Sequence, residues 1–74
     1  MKMCPIGYTD HFYHRLRERF SVPNFHRTLN LIKRQFVAGA AQHVGGDRYQ
    51  VQIKDIPAVV VLDRGKLVTV YYAG

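Results

Sequence analysis

Tryptophan is absent from this 74-residue chain, cysteine occurs once, and only five carboxylates face eleven lysines and arginines. Each scarcity removes a class of protein. The lone Cys4 has no partner for an internal disulfide, so the pattern is not that of a disulfide-stapled secreted domain. One cysteine with histidines scattered at His11, His14, His26 and His43 offers none of the paired spacings of a structural zinc site. No metal and no cofactor is therefore expected. No apolar run approaches the length of a membrane span, and the opening MKMCPIGYTD lacks the apolar stretch of a signal peptide. The expected compartment is the cytoplasm, with no membrane partner. Without tryptophan, five Tyr and four Phe must supply the bulky packing.

What is present reads as a folded chain. A hydrophobic share of 47% with 22% charged residues belongs to globular rather than disordered sequences. The length makes residues 1–74 a single domain, close to the lower limit for a core that stands alone. Stability of a few kcal/mol is expected, and dimerisation or a partner would add burial. The formal charge is +6, and seven of the eleven cations are Arg, the side chain that forks onto phosphate oxygens. So large a charge on so small a body attracts polyanions, with nucleic acid first and acidic proteins or membrane surfaces next.

Period and punctuation give the expected elements. Pro5 and Gly7 keep residues 1–8 irregular, and Thr9 or Asp10 then offers an oxygen to cap a helix. Phe12, Leu16 and Phe20 share one helical stripe, with His11, Arg15 and Arg19 along its flank and His14 and Arg17 turned towards water. In the joint SVPN, Ser21 is placed to cap a second helix with Pro23 in its first turn. Phe25, Leu29, Ile32 and Phe36 mark that helix's buried face. Residues 36–44 fit either a helix continued to about residue 42 or a break at Gly39 followed by a short strand. VGGD then reads as a stop or a hairpin turn.

Beyond it the period becomes two. Tyr49, Val51 and Ile53 alternate with Arg48, Gln50, Gln52 and Lys54, and residues 58–62 (AVVVL) read as a central strand covered on both faces. DRG turns the chain into KLVTVYY, where Val68, Val70 and Tyr72 alternate with Leu67, Thr69 and Tyr71. The expected fold is α+β: two N-terminal helices packed on a three- to four-stranded antiparallel sheet in two layers. If Val68, Val70 and Tyr72 meet the helices, the other sheet face shows Arg48, Gln50, Gln52, Lys54, Thr69 and Tyr71. Cations, amides and a ring on one half-open surface suit a single RNA strand, although a solvated sheet face is also polar.

The helix HFYHRLRER, with His11, Arg15, Leu16 and Arg19 in a His-x3-Arg-hydrophobic-x2-Arg pattern, and the terminal strand LVTVYY resemble the small RelE-like ribonuclease toxins. These belong to the grouping that includes barnase, EndoU-type nucleases and colicin-type tRNases. The resemblance spans roughly residues 9–72. It implies metal-independent RNA cleavage, in which the 2′-hydroxyl attacks the adjacent phosphorus and leaves a 2′,3′-cyclic phosphate. It implies His11 as the acid/base group, Arg15 and Arg19 as a phosphate clamp, Thr69 as a donor to phosphate and Tyr71 as a stacking or donating group. His14, Arg17, His26, Arg27, Arg48, Gln50, Gln52 and Lys54 are the further expected RNA contacts. A cognate antitoxin or an acidic host protein is the implied protein partner. The sequence departs from the usual acid–base pairs in placing no carboxylate evidently beside a candidate histidine. A scaffold that binds RNA, or inhibits a host protein, without cleaving is therefore the alternative.

Overall fold

The computed structural model describes residues 6–73. Two helices follow a short first strand: β1 (Gly7–Tyr8), α1 (Asp10–Phe20) and α2 (Phe25–Ala38). Four strands complete the chain: β2 (Gln42–Gly45), β3 (Arg48–Ile53), β4 (Ile56–Asp63) and β5 (Lys66–Tyr72). The sheet has five strands in the order β1-β5-β4-β3-β2. The four later strands form an antiparallel meander, and β1 joins its edge parallel to β5, pairing Gly7 with Lys66 and Tyr8 with Leu67. The α+β class is as expected. The strand count and the all-antiparallel character are not, because residues 7 and 8, expected to be irregular, supply a parallel edge strand. The remainder of the expected irregular start, residues 1–5, lies outside the described residues.

Both helices begin and end where side chains or permissive backbone satisfy their free groups. Thr9 caps α1 by accepting the Phe12 N–H at 3.2 Å, and Asn24 caps α2 by accepting the Arg27 N–H at 3.1 Å. Ser21, expected to cap α2, closes α1 instead. Its left-handed backbone (φ 49°) lets its N–H donate to the Arg17 carbonyl. Pro23 consequently lies in the joint rather than within α2. Of the two alternatives for residues 36–44, the chain takes the break at Gly39 and the short strand. Gly39, at φ 77°, stops α2, and β2 starts three residues later.

α1 lies along β5, and α2 reaches across to β3. The enclosed layer contains Phe12, Leu16, Ile32, Val51, Ile53 and Val60, all essentially inaccessible to water. Phe25 serves as an aromatic junction where β1, α1 and α2 meet, with the rings of Tyr8 at 4.8 Å and Tyr13 at 4.7 Å, both edge-on. A second tie joins α2 to the sheet. The Gln35 side-chain amide accepts the Gln52 N–H at 2.8 Å and donates to the Gln52 carbonyl at 2.9 Å. Gln52 lies beyond the reach of β2, which pairs β3 only as far as Gln50. The glutamine amide thus extends the ladder where no strand is available.

Hairpin chemistry holds the meander in register. Lys54 and Asp55 (φ 52° and 66°) link β3 to β4, and Arg64 and Gly65 (φ 53° and 78°) link β4 to β5. Two successive left-handed residues give turns whose twist matches the strands they connect. Lys54 therefore occupies a turn and not the polar strand face expected for it.

The largest departure within the sheet is at β5. Val61 pairs with Thr69, but Leu62 pairs with Leu67, so Val68 is one residue too many. This bulge reverses the facing of everything before it. Leu67, expected to face outwards, is fully buried, and Val68, expected inside, is half-buried. Beyond the bulge the expectation holds, with Val70 buried and the Tyr72 ring 4.6 Å from Phe20. β4 is central, as expected, but helices cover only one of its faces. Val59 and Val61 lie on the other, where Gln50 and Tyr71 flank Val59. Ala73 N–H donates to Pro57 O, which fixes the alternation of the ladder. By that alternation, Val70 and Tyr72 turn their backbone N–H and C=O groups to the outer side of β5.

The bulge makes a testable distinction. Leu67→Ala should cost about 2–4 kcal/mol in urea unfolding, as for a buried large-to-small change, and Val68→Ala under about 1 kcal/mol. Equal losses, or the reverse order, would refute the assigned facing.

Candidate nucleic-acid interface

The residues expected to form a catalytic group divide between two faces of the sheet. His11, Arg15 and Arg19 lie on the flank of α1 turned away from α2, since Tyr13 on the opposite flank meets Phe25 of α2. That flank overhangs the outer edge of β5. Within it, His11 Nε2 accepts from Arg15 Nε–H in a long contact of 3.5 Å, and Arg15 Nη1 lies 3.4 Å from Glu18 Oε1. Arg19 is anchored by its backbone, whose carbonyl accepts the Tyr72 hydroxyl, and its side chain is exposed. Thr69 and Tyr71 alternate with the buried Val70 and with Tyr72 under the helices, so their side chains lie on the opposite, uncovered face. The structure thus brings His11 and Arg15 together but not with Thr69 or Tyr71.

The other expected contacts are scattered. Arg17 donates to the Tyr13 hydroxyl at 2.9 Å and its guanidinium carbon lies 5.5 Å from that ring's centre. His14 is an exposed neighbour whose ring is 5.4 Å from Tyr13. His26 and Arg27 open α2 and are exposed, but Asn24 already accepts the N–H of Arg27. Arg48, Gln50 and Gln52 point their side chains to the uncovered sheet face, as their alternation with Val51 and Ile53 requires. His43 is committed locally: its Nε2–H donates to the Gly46 carbonyl at 2.6 Å and its ring lies 5.0 Å from Tyr49. Among the described residues, no group of three His, Cys, Asp or Glu is gathered for a metal ion.

Charge is unevenly distributed between the layers. Residues 9–38, which form the helical layer, carry six Lys and Arg against two carboxylates, Asp10 and Glu18. Residues 39–73, which contain the meander, carry four against three, because Asp47, Asp55 and Asp63 lie at or beside the hairpin turns. Arg15–Glu18 is the one ion pair among the described residues. The excess positive charge therefore lies on the helices and not on the sheet face expected to meet RNA.

α2 also carries residues that the sequence reading missed. Asn30, Leu31 and Arg34 continue the row begun by Arg27 along the side of α2 opposite Leu29 and Ile32, and the half-buried Lys33 lies on the flank above Leu29. Two surface depressions lie there, of about 520 Å³ and 290 Å³, and both are lined by Asn30 and Arg34. The overlooked signal was the segment FHRTLNLIKRQFVA, which contains three cations and no acid. No described helix is long and apolar enough to cross a membrane. Comparisons with protein-family models, curated proteins and solved structures found no match for this chain.

The exposed His11–Arg15–Glu18 group contributes little to folding, since such surface contacts are worth about 0–1 kcal/mol. His11→Gln and Arg15→Met should therefore leave the thermal midpoint within a few degrees of the parent, as read by circular dichroism. A collapse of the fold in either would show that these side chains have a structural task.

Proposed function

We propose that the protein is a small RNA-binding protein that holds RNA through the cations of its helical layer without cleaving it. The observation that carries this reading is the segregation of charge: six cations and two carboxylates on one layer, with a single ion pair among them. Unpaired cations on one side of a small body make a positive field that condenses onto phosphate and releases counterions. The separation of Thr69 and Tyr71 from His11 removes two members of the expected catalytic group, which favours binding over cleavage.

A second reading, metal-independent ribonuclease action, keeps one specific support. His11 and His14 are three residues apart on α1 and therefore neighbours on its surface, with Arg15 in contact with His11. One imidazole would take the 2′-hydroxyl proton and the other would protonate the departing 5′-oxygen, while Arg15 stabilises the charged phosphorane.

Fluorescence anisotropy with a labelled RNA tests the first reading. Affinity should fall roughly tenfold to a hundredfold as salt rises from about 50 to about 200 mM. Absence of binding, or binding indifferent to salt, would overturn it. Incubation of the same RNA in EDTA separates the two readings. Intact RNA is expected, whereas cleavage that His11→Ala abolishes would establish the ribonuclease instead.

A further inference from the structure

We infer that the outer face of α2 is the principal RNA-gripping surface, and that its ligand is the backbone of duplex RNA. This inference rests on the RNA-binding reading above and specifies its site and ligand. Three observations carry it.

The first is charge without opposition. α2 holds Arg27, Lys33 and Arg34, with His26 beside them and no acidic residue among its 14 positions. α1, by contrast, contains Asp10 and Glu18, and the latter draws Arg15 to itself. A phosphate approaching α2 meets cations whose charge nothing on the helix cancels.

The second is spacing. Arg27, Asn30, Leu31 and Arg34 follow one another at intervals of three, one and three, which places them along one ridge. Arg27 and Arg34 stand two turns apart, about 10 Å along the axis. They can thus engage separate phosphates, with the Asn30 amide between them to exchange hydrogen bonds with ribose hydroxyls. Arg27, Asn30 and Arg34 are exposed, and no described side-chain hydrogen bond occupies the two guanidinium groups.

The third concerns what the face lacks. Single-stranded RNA is normally held by stacking its bases on aromatic rings. The phenyl rings of α2, Phe25 and Phe36, instead pack into the protein, Phe25 against Tyr8 and Tyr13 and Phe36 against Tyr49, and the His26 ring lies 5.6 Å from Phe25, about a quarter turn from the Arg27–Arg34 ridge. A cationic ridge with an amide and no Phe, Tyr or Trp ring along it suits a duplex, whose bases are already stacked. The wide, shallow minor groove of an A-form helix presents 2′-hydroxyls and phosphates to such a ridge. Recognition of that kind reads shape and is indifferent to sequence.

The test uses the full chain, a labelled RNA duplex of about 20 base pairs, one of its strands alone, and a DNA duplex of the same sequence. The parent protein should bind the RNA duplex at least tenfold more tightly than either other probe. R27E/R34E should weaken duplex binding at least tenfold, while R48E, on the uncovered sheet face, should change it less than threefold. Circular dichroism of each variant verifies that the fold is kept, and R27A/R34A provides a milder version of the same loss. Preference for the single strand or the DNA duplex would overturn the ligand assignment. Loss on R48E but not on R27E/R34E would overturn the surface while leaving the RNA-binding reading intact. Failure of the parent to bind any RNA would overturn that reading as well.

Discussion

One hydroxyl holds the architecture together. Thr9 accepts the Phe12 N–H that would otherwise be unsatisfied at the start of α1, and its proton is directed at the Leu67 and Val68 carbonyls, 3.4 and 3.2 Å away. Its backbone N–H also donates to Leu67 O. Thr9 therefore stops β1, starts α1 and fastens both to β5 at the bulge. Because the bulge turns Leu67 inwards, the residue beneath the helix start is apolar and fully buried. Helix entry and strand irregularity are two parts of one joint, which sets α1 along β5 and leaves its arginine flank over the outer edge.

From that placement the distribution of charge follows. A two-layer fold gives each helix one buried stripe and leaves the rest to solvent. In α1 the exposed remainder mixes acids with arginines, and in α2 its charged members are all cations. The sheet contributes a polar face, but its turns carry aspartates, which the left-handed turn geometry tolerates at Asp55. Turn chemistry thus dilutes the positive field on one side of the molecule and leaves it intact on the other.

Much of this arrangement was legible in the order of residues. The stripes Phe12–Leu16–Phe20 and Phe25–Leu29–Ile32 marked both helices, and alternation marked β3 and most of β5. Thr9 and Asp10 both offered a cap for α1, and Thr9 supplies it. What could not be read was non-local. The bulge exists because of how β4 and β5 pair, and the single run LVTV contains no sign of where one residue is to be skipped. The strand at Gly7–Tyr8 is too short to show a period and forms only because β5 has an edge to offer. Ser21 and Asn24 are both good capping residues three positions apart, and propensity alone does not choose between them. For the site, periodicity correctly grouped His11, Arg15 and Arg19. Joining Thr69 and Tyr71 to them required knowing which sheet face the helices cover and on which side the histidine flank lies.

The brevity of β1 has a consequence for self-association. It shields β5 only opposite Lys66 and Leu67, so the backbone groups that Val70 and Tyr72 turn outwards form a template on which another strand could grow. Arg15 and Arg19 stand over that margin as gatekeepers. A second molecule docking margin to margin would press its own arginines against them, and the mutual repulsion opposes the lateral stacking from which fibres are built.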